Sequence, residues 1–223
     1  MSLIWSAIEL TLKLASLTTI ILLSLGIPLS WWLSNTRNYF KPIVEAIVAI
    51  PLVLPPTVLG FYLLILLGNN GLLGQFSIYF TGQSLAFTFT GLLIASVLYS
   101  LPFVVQPLQA AFDQLDKRNI EAAYVLGAYP LRVFFSVVVP QAKRGFLTAI
   151  ILGFSHTVGE FGVVLMVGGN IPGETQVVSI AIYELVESLE YEKAHYLAAG
   201  LLLFSFTVLM FVYGFNARHR LKH

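Results

Sequence analysis

Apolar runs of twenty or so residues recur along the chain with short polar stretches between them, the pattern of helices that cross a bilayer. Residues 10–33 are apolar apart from Lys13 and scattered Ser and Thr, with Pro28 near the end, and read as the first span. Trp31 and Trp32 suit its interface. Further spans are predicted over 43–67, 84–108, 145–167 and 194–215, the third carrying Pro102 and Pro107 towards its end. The expected fold is an all-α polytopic membrane protein: one domain over residues 1–223 with about five transmembrane helices.

Three stretches depart from this pattern. The second span contains IPLVLPPTVLG, and Pro51, Pro55 and Pro56 within six residues cannot form a regular helix. In lipid every freed carbonyl needs a partner, so such a break belongs against protein or a wet cavity, and Pro55 and Pro56 are candidate pathway or gate residues. A simple packing kink is the alternative. Residues 68–83 carry no charge, are dense in Gly and Asn, and read as a loop. After the turns of GGNIPGETQ, Val178, Ile182, Leu185 and Leu189 share a helix face opposite Glu184, Glu187 and Glu190. At roughly twelve to fifteen residues this helix is too short and too acidic to span, so it lies at the surface or re-enters.

The longest segment not built for lipid is 113–144, DQLDKRNIEAAYVLGAYPLRVFFSVVVPQAKR. Asp113 or Asp116 suits an N-cap, and Ile120, Ala123, Tyr124 and Gly127 fall at i, i+3, i+4 and i+7 on one helical face. Pro130 restarts the chain in a second short helix presenting Leu131, Phe134, Phe135 and Val138, which Pro140 is expected to end. Ala122, Ala123 and Gly127 let another protein surface approach the backbone closely. The alternative is an amphipathic loop lying on the membrane.

Composition agrees with a membrane protein: 57% of residues are hydrophobic and 10% charged, against about 25% charged in soluble domains. A net charge of +1 gives no footing for nucleic acid, and the lack of cysteine excludes disulfides and thiolate metal sites. Position is more telling than the total. Arg37, Lys41, Lys117, Arg118, Arg132, Lys143, Arg144, Arg218, Arg220 and Lys222 fall on one side of the predicted spans, while Lys193, Lys13 and the Glu cluster fall on the other. The positive-inside rule puts the N-terminus outside and the C-terminus and segment 113–144 in the cytoplasm. No basic region or cleavage site precedes the first span, which is expected to be retained.

No G-x-x-x-x-G-K-[ST] loop, G-x-S-x-G nucleophile or metal-ligand spacing occurs, so no catalytic residue, cofactor or metal is expected, and any nucleotide chemistry is supplied in trans. The fourth span is polar within the membrane through GFSHTVGEFG. At about 1.5 Å per residue, Ser155 lies roughly 15 Å and Glu160 roughly 22 Å from Gly145, at membrane depth. Ser155, Thr157, Gly159 and Glu160 are therefore pathway or gate candidates. Glu160 reads as a structural anchor bonded to backbone amides or to His156, and direct substrate contact is the competing role. A bare carboxylate would repel an anion.

Glu121, Ala122, Ala123, Gly127 and Pro140, with Tyr129 between them, resemble the EAA loop through which ABC-importer permeases bind their ATPase. IPLVLPPTVLG, GEFG, and GNIPGET followed by AIY are similar to the permease subunit of molybdate ABC importers, so the likeness runs from about Pro51 to Tyr183. Sulfate permeases look similar through GEFG and GNIP. The resemblance implies the type I ABC importer permease fold in the inner membrane, without enzymatic activity of its own. It also implies a second permease copy, two cytoplasmic ATPase subunits, a periplasmic oxyanion-binding protein, and molybdate or tungstate as cargo. No Lys or Arg lies deep in a span, so hydroxyls and backbone N–H groups would pass a dianion without trapping it. An ion-coupled secondary transporter would instead show inverted repeats, which are not apparent, and would leave the EAA-like loop without a role.

Overall fold

The computed structural model describes residues 2–220. Lys222 of the basic tail lies outside them, as do the side chains of Arg218 and Arg220. Among the described residues every regular element is helical: α1 (Ser2–Asn35), α2 (Lys41–Val53), α3 (Pro56–Leu67), α4 (Leu72–Thr81), α5 (Phe89–Asp113), α6 (Lys117–Val125), α7 (Pro130–Val133), α8 (Val139–Gly159), α9 (Gly162–Gly168), α10 (Val178–Glu187) and α11 (Tyr191–Arg220). Four continuous stretches are long and apolar enough to cross a membrane: Ile4–Asn35, Phe89–Asp113, Pro130–Gly159 and Tyr191–Phe211. The pair α2 and α3, bent by 113°, passes the same test taken together and gives a fifth if it counts as one broken span. Leu54 and Pro55 sit at that bend in extended conformation, and Pro56 starts α3, where its missing N–H costs nothing. Pro51 stays inside α2. Pro55 and Pro56 thus make the elbow, whereas Pro51 does not interrupt α2.

The core is built on α5, packed between α1 and α8. Leu22, Val104, Leu108, Phe112, Val138, Ala142 and Ala149 form the largest buried cluster. Close approach depends on missing side chains: a Cβ at Gly26 of α1 would stand 3.1 Å from Val104 Cγ1, and one at Gly153 of α8 would stand 2.6 Å from Val104 Cγ2. Between helices already in lipid there is little hydrophobic gain, so such close backbone packing carries the association. Ser30 of α1 donates to the Val105 carbonyl at 3.0 Å, satisfying a polar group that lipid could not. Lys13 sits 4.7 Å over the Phe89 ring at the start of α5.

Three expectations need correction. Residues 68–83 are not a loop throughout, because α4 occupies ten of them. Its punctuation is what reads as loop: Gly71 stands at the N-cap, and Gly82 closes the helix in the left-handed region at φ +77°. The fourth span is not one helix over 145–167, since α8 ends at Gly159 and the extended Glu160 breaks it from α9. Pro140 does not end the second short helix. Pro130–Gly159 runs continuously, through a π-helical turn over Phe134–Val138. In that turn Val139 N–H reaches back five residues to the Phe134 carbonyl, and the widened register accommodates a proline that has no N–H of its own.

The EAA-like segment stands off the bundle. Asp116 caps α6 by accepting from Arg118 N at 3.0 Å, and no residue of α6 is buried. Ile120 turns inward onto the α5–α8 cluster. Glu121 and Ala122 are exposed, Ala123 is half-buried, and Val125, Leu126, Tyr129 and Leu131 stand 87%, 86%, 62% and 66% exposed. Gly127 adopts φ +80°, its N–H bonds to the Tyr124 carbonyl and Ala128 N–H to the Ala123 carbonyl, a Schellman closure that favours glycine.

Candidate functional site

Ser96 and Ser100, one turn apart on α5, face His156 and Thr157 on α8 and Glu160 just past its end, and these five side chains join through Ser100 and Glu160. The carboxylate accepts from Ser96 Oγ at 2.6 Å on Oε2 and from Ser100 Oγ at 2.5 Å on Oε1. His156 Nδ1 lies 2.9 Å from Ser100 Oγ and 3.4 Å from Glu160 Oε1. Thr157 Oγ1 donates to the Gly153 carbonyl at 3.0 Å and lies 3.1 Å from Ser100 Oγ. The Glu160 main-chain carbonyl, freed by the helix break, accepts from Ser179 Oγ of α10. Glu160 is only 3% exposed. Both ends of the residue therefore tie α5, α8 and α10 together at one point.

The break also meets the elbow of the second span. A Cβ at Gly162 would fall 2.8 Å from Pro56 Cβ, so only glycine lets the elbow seat there. Pro55, Pro56, Thr57 and Gly159 remain exposed beside it. The Pro55–Pro56 elbow and the break at Glu160 thus meet where Pro56 packs on Gly162, with Thr157 and Gly159 in the last turn of α8 before the break. Ser155 differs: its Oγ is buried without a hydrogen-bond partner among the described residues.

Beyond α9 the GNIPGETQ turns are cross-braced. Thr175 Oγ1 donates to the Gly168 carbonyl at 2.6 Å and accepts from Ile171 N at 3.2 Å. Asn170 donates to Glu184 at 3.0 Å, and Gln176 bonds both Asn170, at 2.8 Å, and Glu184. Thr11 of α1 accepts from Val178 N at 2.9 Å, fixing the start of α10 to the first span. At the far end of α10 the Tyr183 hydroxyl donates to Glu187 at 2.6 Å, and this bond to a carboxylate holds it above the usual tyrosine range. Leu189 does not complete the predicted apolar face, being 71% exposed in a left-handed turn at φ +60°.

Sequence reasoning named Glu160 and His156 but missed Ser96, Ser100 and Ser179. The spacing of Ser96 and Ser100 at i, i+4 inside an apolar span was a readable sign of a polar seam. Ser179 carried none. No group of three or more His, Cys, Asp or Glu among the described residues is arranged to hold a metal.

The sequence and fold have recognisable relatives. The molybdenum transport system permease protein ModB of Azotobacter vinelandii is 58% identical over 93% of this chain and 92% of its own length. The probable sulfate transport system permease protein cysT of Zygnema circumcarinatum is 34% identical over 93% of this chain and 72% of its own. Among solved structures, an inward-facing MetNI methionine ABC transporter superposes with a TM-score of 0.68 at 19% identity, covering 96% of each chain. That likeness shows the type I ABC importer permease fold. Residues 14–222 match the family of binding-protein-dependent transport system inner membrane components, so the chain belongs to that family of multi-pass inner-membrane permeases.

Proposed function

We propose that this chain is the membrane-spanning subunit of an ATP-driven importer that moves molybdate, with tungstate as its close analogue, from periplasm to cytoplasm. The observation that carries the reading is the 58% identity to a molybdenum transport permease along nearly the whole of both chains. Two copies of the chain would enclose the pathway. A periplasmic protein would deliver the oxyanion, and two cytoplasmic ATPase subunits would drive the cycle. A nucleotide-gripping loop is absent from the sequence, so hydrolysis belongs to those partners.

On this reading the chain is a single permease domain with its N-terminus outside and its C-terminus in the cytoplasm, as its Lys and Arg distribution favours. The segment around Glu121, Ala122, Ala123, Gly127 and Tyr129 docks the ATPase. Its unburied α6 and exposed Val125 and Leu126 support that role, because exposed apolar surface of this kind marks an interaction site. Pro140 shapes the return into the membrane through the π turn. Pro55, Pro56, Gly159 and Thr157 border the gate, Ser155 offers it a hydroxyl, and Glu160 is the anchor that holds the surrounding helices.

The likeness to a sulfate permease supplies a second reading within the same class. Proteoliposomes holding the permease with its ATPase, given ATP in the lumen and loaded binding protein outside, separate the readings. We expect ATP-dependent uptake of labelled molybdate, competed by tungstate and not by equimolar sulfate. Equal competition by sulfate would move the assignment to sulfate, and uptake driven by an ion gradient without ATP would remove the chain from this class of machine.

A further inference from the structure

The polar knot at the α8 break leaves one group with a free end. Ser100 has a single hydroxyl proton, and at 2.5 Å that proton lies on the bond to Glu160 Oε1. Thr157 directs its own proton to the Gly153 carbonyl. With the carboxylate ionised, the contact between Ser100 Oγ and His156 Nδ1 is then satisfied only if Nδ1–H is the donor. This leaves Nε2, which has no hydrogen-bond partner among the described residues, pointing away from the knot.

The ring itself is clamped. It stacks on Phe103 with centroids 3.7 Å apart at 23°, and Tyr99 lies against it at 4.8 Å. His156 keeps 19% of its side chain exposed while the Glu160 side chain keeps 1%. The pair is therefore oriented, with its negative end covered and its imidazole end accessible. His156 lies at i−3 from the exposed Gly159 on α8. It stands about 16 Å along α8 from Gly145, at membrane depth.

We propose that His156 is an oxyanion-contacting residue of the transport pathway. The contact needs Nε2–H as donor to a tetrahedral oxygen while Nδ1–H stays held by Ser100 and Glu160. The inference rests on the oxyanion reading above. A tetrahedral dianion offers only acceptors, so a contacting group must be a donor, and a single N–H donor backed by a buried carboxylate attracts without trapping. Glu160 is then a positioning residue: its charge and its two serine bonds fix the imidazole without facing the substrate.

The test uses the complete complex in proteoliposomes, with labelled molybdate on saturating binding protein so that capture does not limit the rate. His156→Asn places an amide nitrogen where Nδ1 sits and removes Nε2. It is expected to assemble in native amounts and to transport about tenfold more slowly per assembled complex. His156→Arg supplies a permanent charge and a forward donor, and is expected to transport faster than His156→Asn. A native rate for the Asn variant, or an assembled Arg variant no faster than Asn, overturns the proposal. If Asn depletes the complex, His156→Gln replaces it as the neutral reference that Arg must exceed. Should the unmodified complex import another solute with ATP but no oxyanion, the oxyanion reading falls as well. Molybdate uptake that is indifferent to His156 removes only this role.

Discussion

Replacing Glu160 with leucine is expected to strip most assembled complex from the membrane, whereas Glu160→Gln should leave assembly close to native. The leucine removes the acceptor of Ser96 and Ser100 together with the neighbour of His156, and leaves buried hydroxyls unsatisfied between α5 and α8. Breaking a buried polar network by removing one partner costs on the order of 3 kcal/mol, a large share of the margin of a membrane subunit. Glutamine keeps the shape and one acceptor oxygen, and Ser96 or Ser100 can turn to accept from its amide. The bond from Ser179 to the Glu160 main-chain carbonyl does not depend on the side chain, so α10 stays attached in both variants. Because glutamine deprives His156 of its carboxylate neighbour, its transport per assembled complex should fall in the same direction as that of His156→Asn. The measurement is the amount and thermal stability of purified complex beside its transport rate. Full assembly of the leucine variant would show that Glu160 is not an anchor.

The second large effect is expected at Gly127. Its φ of +80° closes α6, and a Cβ there meets nothing within 4 Å of this chain. Within the isolated subunit the leucine penalty is thus conformational, about 1–2 kcal/mol for a left-handed residue. The side chain would, however, project from an exposed turn flanked by Leu126, where the ATPase is proposed to lie. Gly127→Leu should insert and dimerise yet transport at least about tenfold more slowly, the loss that 1.4 kcal/mol of weakened docking produces. Gly127→Asn tolerates the left-handed turn with a short side chain and should retain much more. ATP hydrolysis and molybdate uptake measured together expose the lost coupling. Unchanged uptake by the leucine variant would return the segment to an amphipathic loop on the membrane.

What could be read from the residues alone follows from how local each signal is. The spans rest on composition over some twenty residues, and the elbow at Pro55–Pro56 on a steric rule, so both were legible. Asp116 as an N-cap needs only its own turn, and it caps α6 as expected. The errors fall where a local rule was overridden or shared. Gly71 and Gly82 signal turns whether they enclose a loop or flank the ten residues of α4. Pro140 stops an ordinary helix, but a π turn supplies the space that it needs. The break at Glu160 carries no proline and depends on neighbours: Ser179 takes up the exposed carbonyl and Pro56 fills the space above Gly162. Glu160 was recognisable as costly to bury in lipid, while its serine partners lie some sixty residues away in the chain.

The claim on which the rest depends is that α6 and the turn after it face a cytoplasmic ATPase. The chain has no cysteine, so a single one placed at Leu126, 86% exposed and next to Gly127, reports on that surface alone. Co-expressed with the ATPase and treated with a short bifunctional crosslinker, this variant is predicted to yield a permease–ATPase adduct and to stay unlabelled by membrane-impermeant thiol reagents in intact cells. No adduct, together with labelling from outside the cell, would contradict the account.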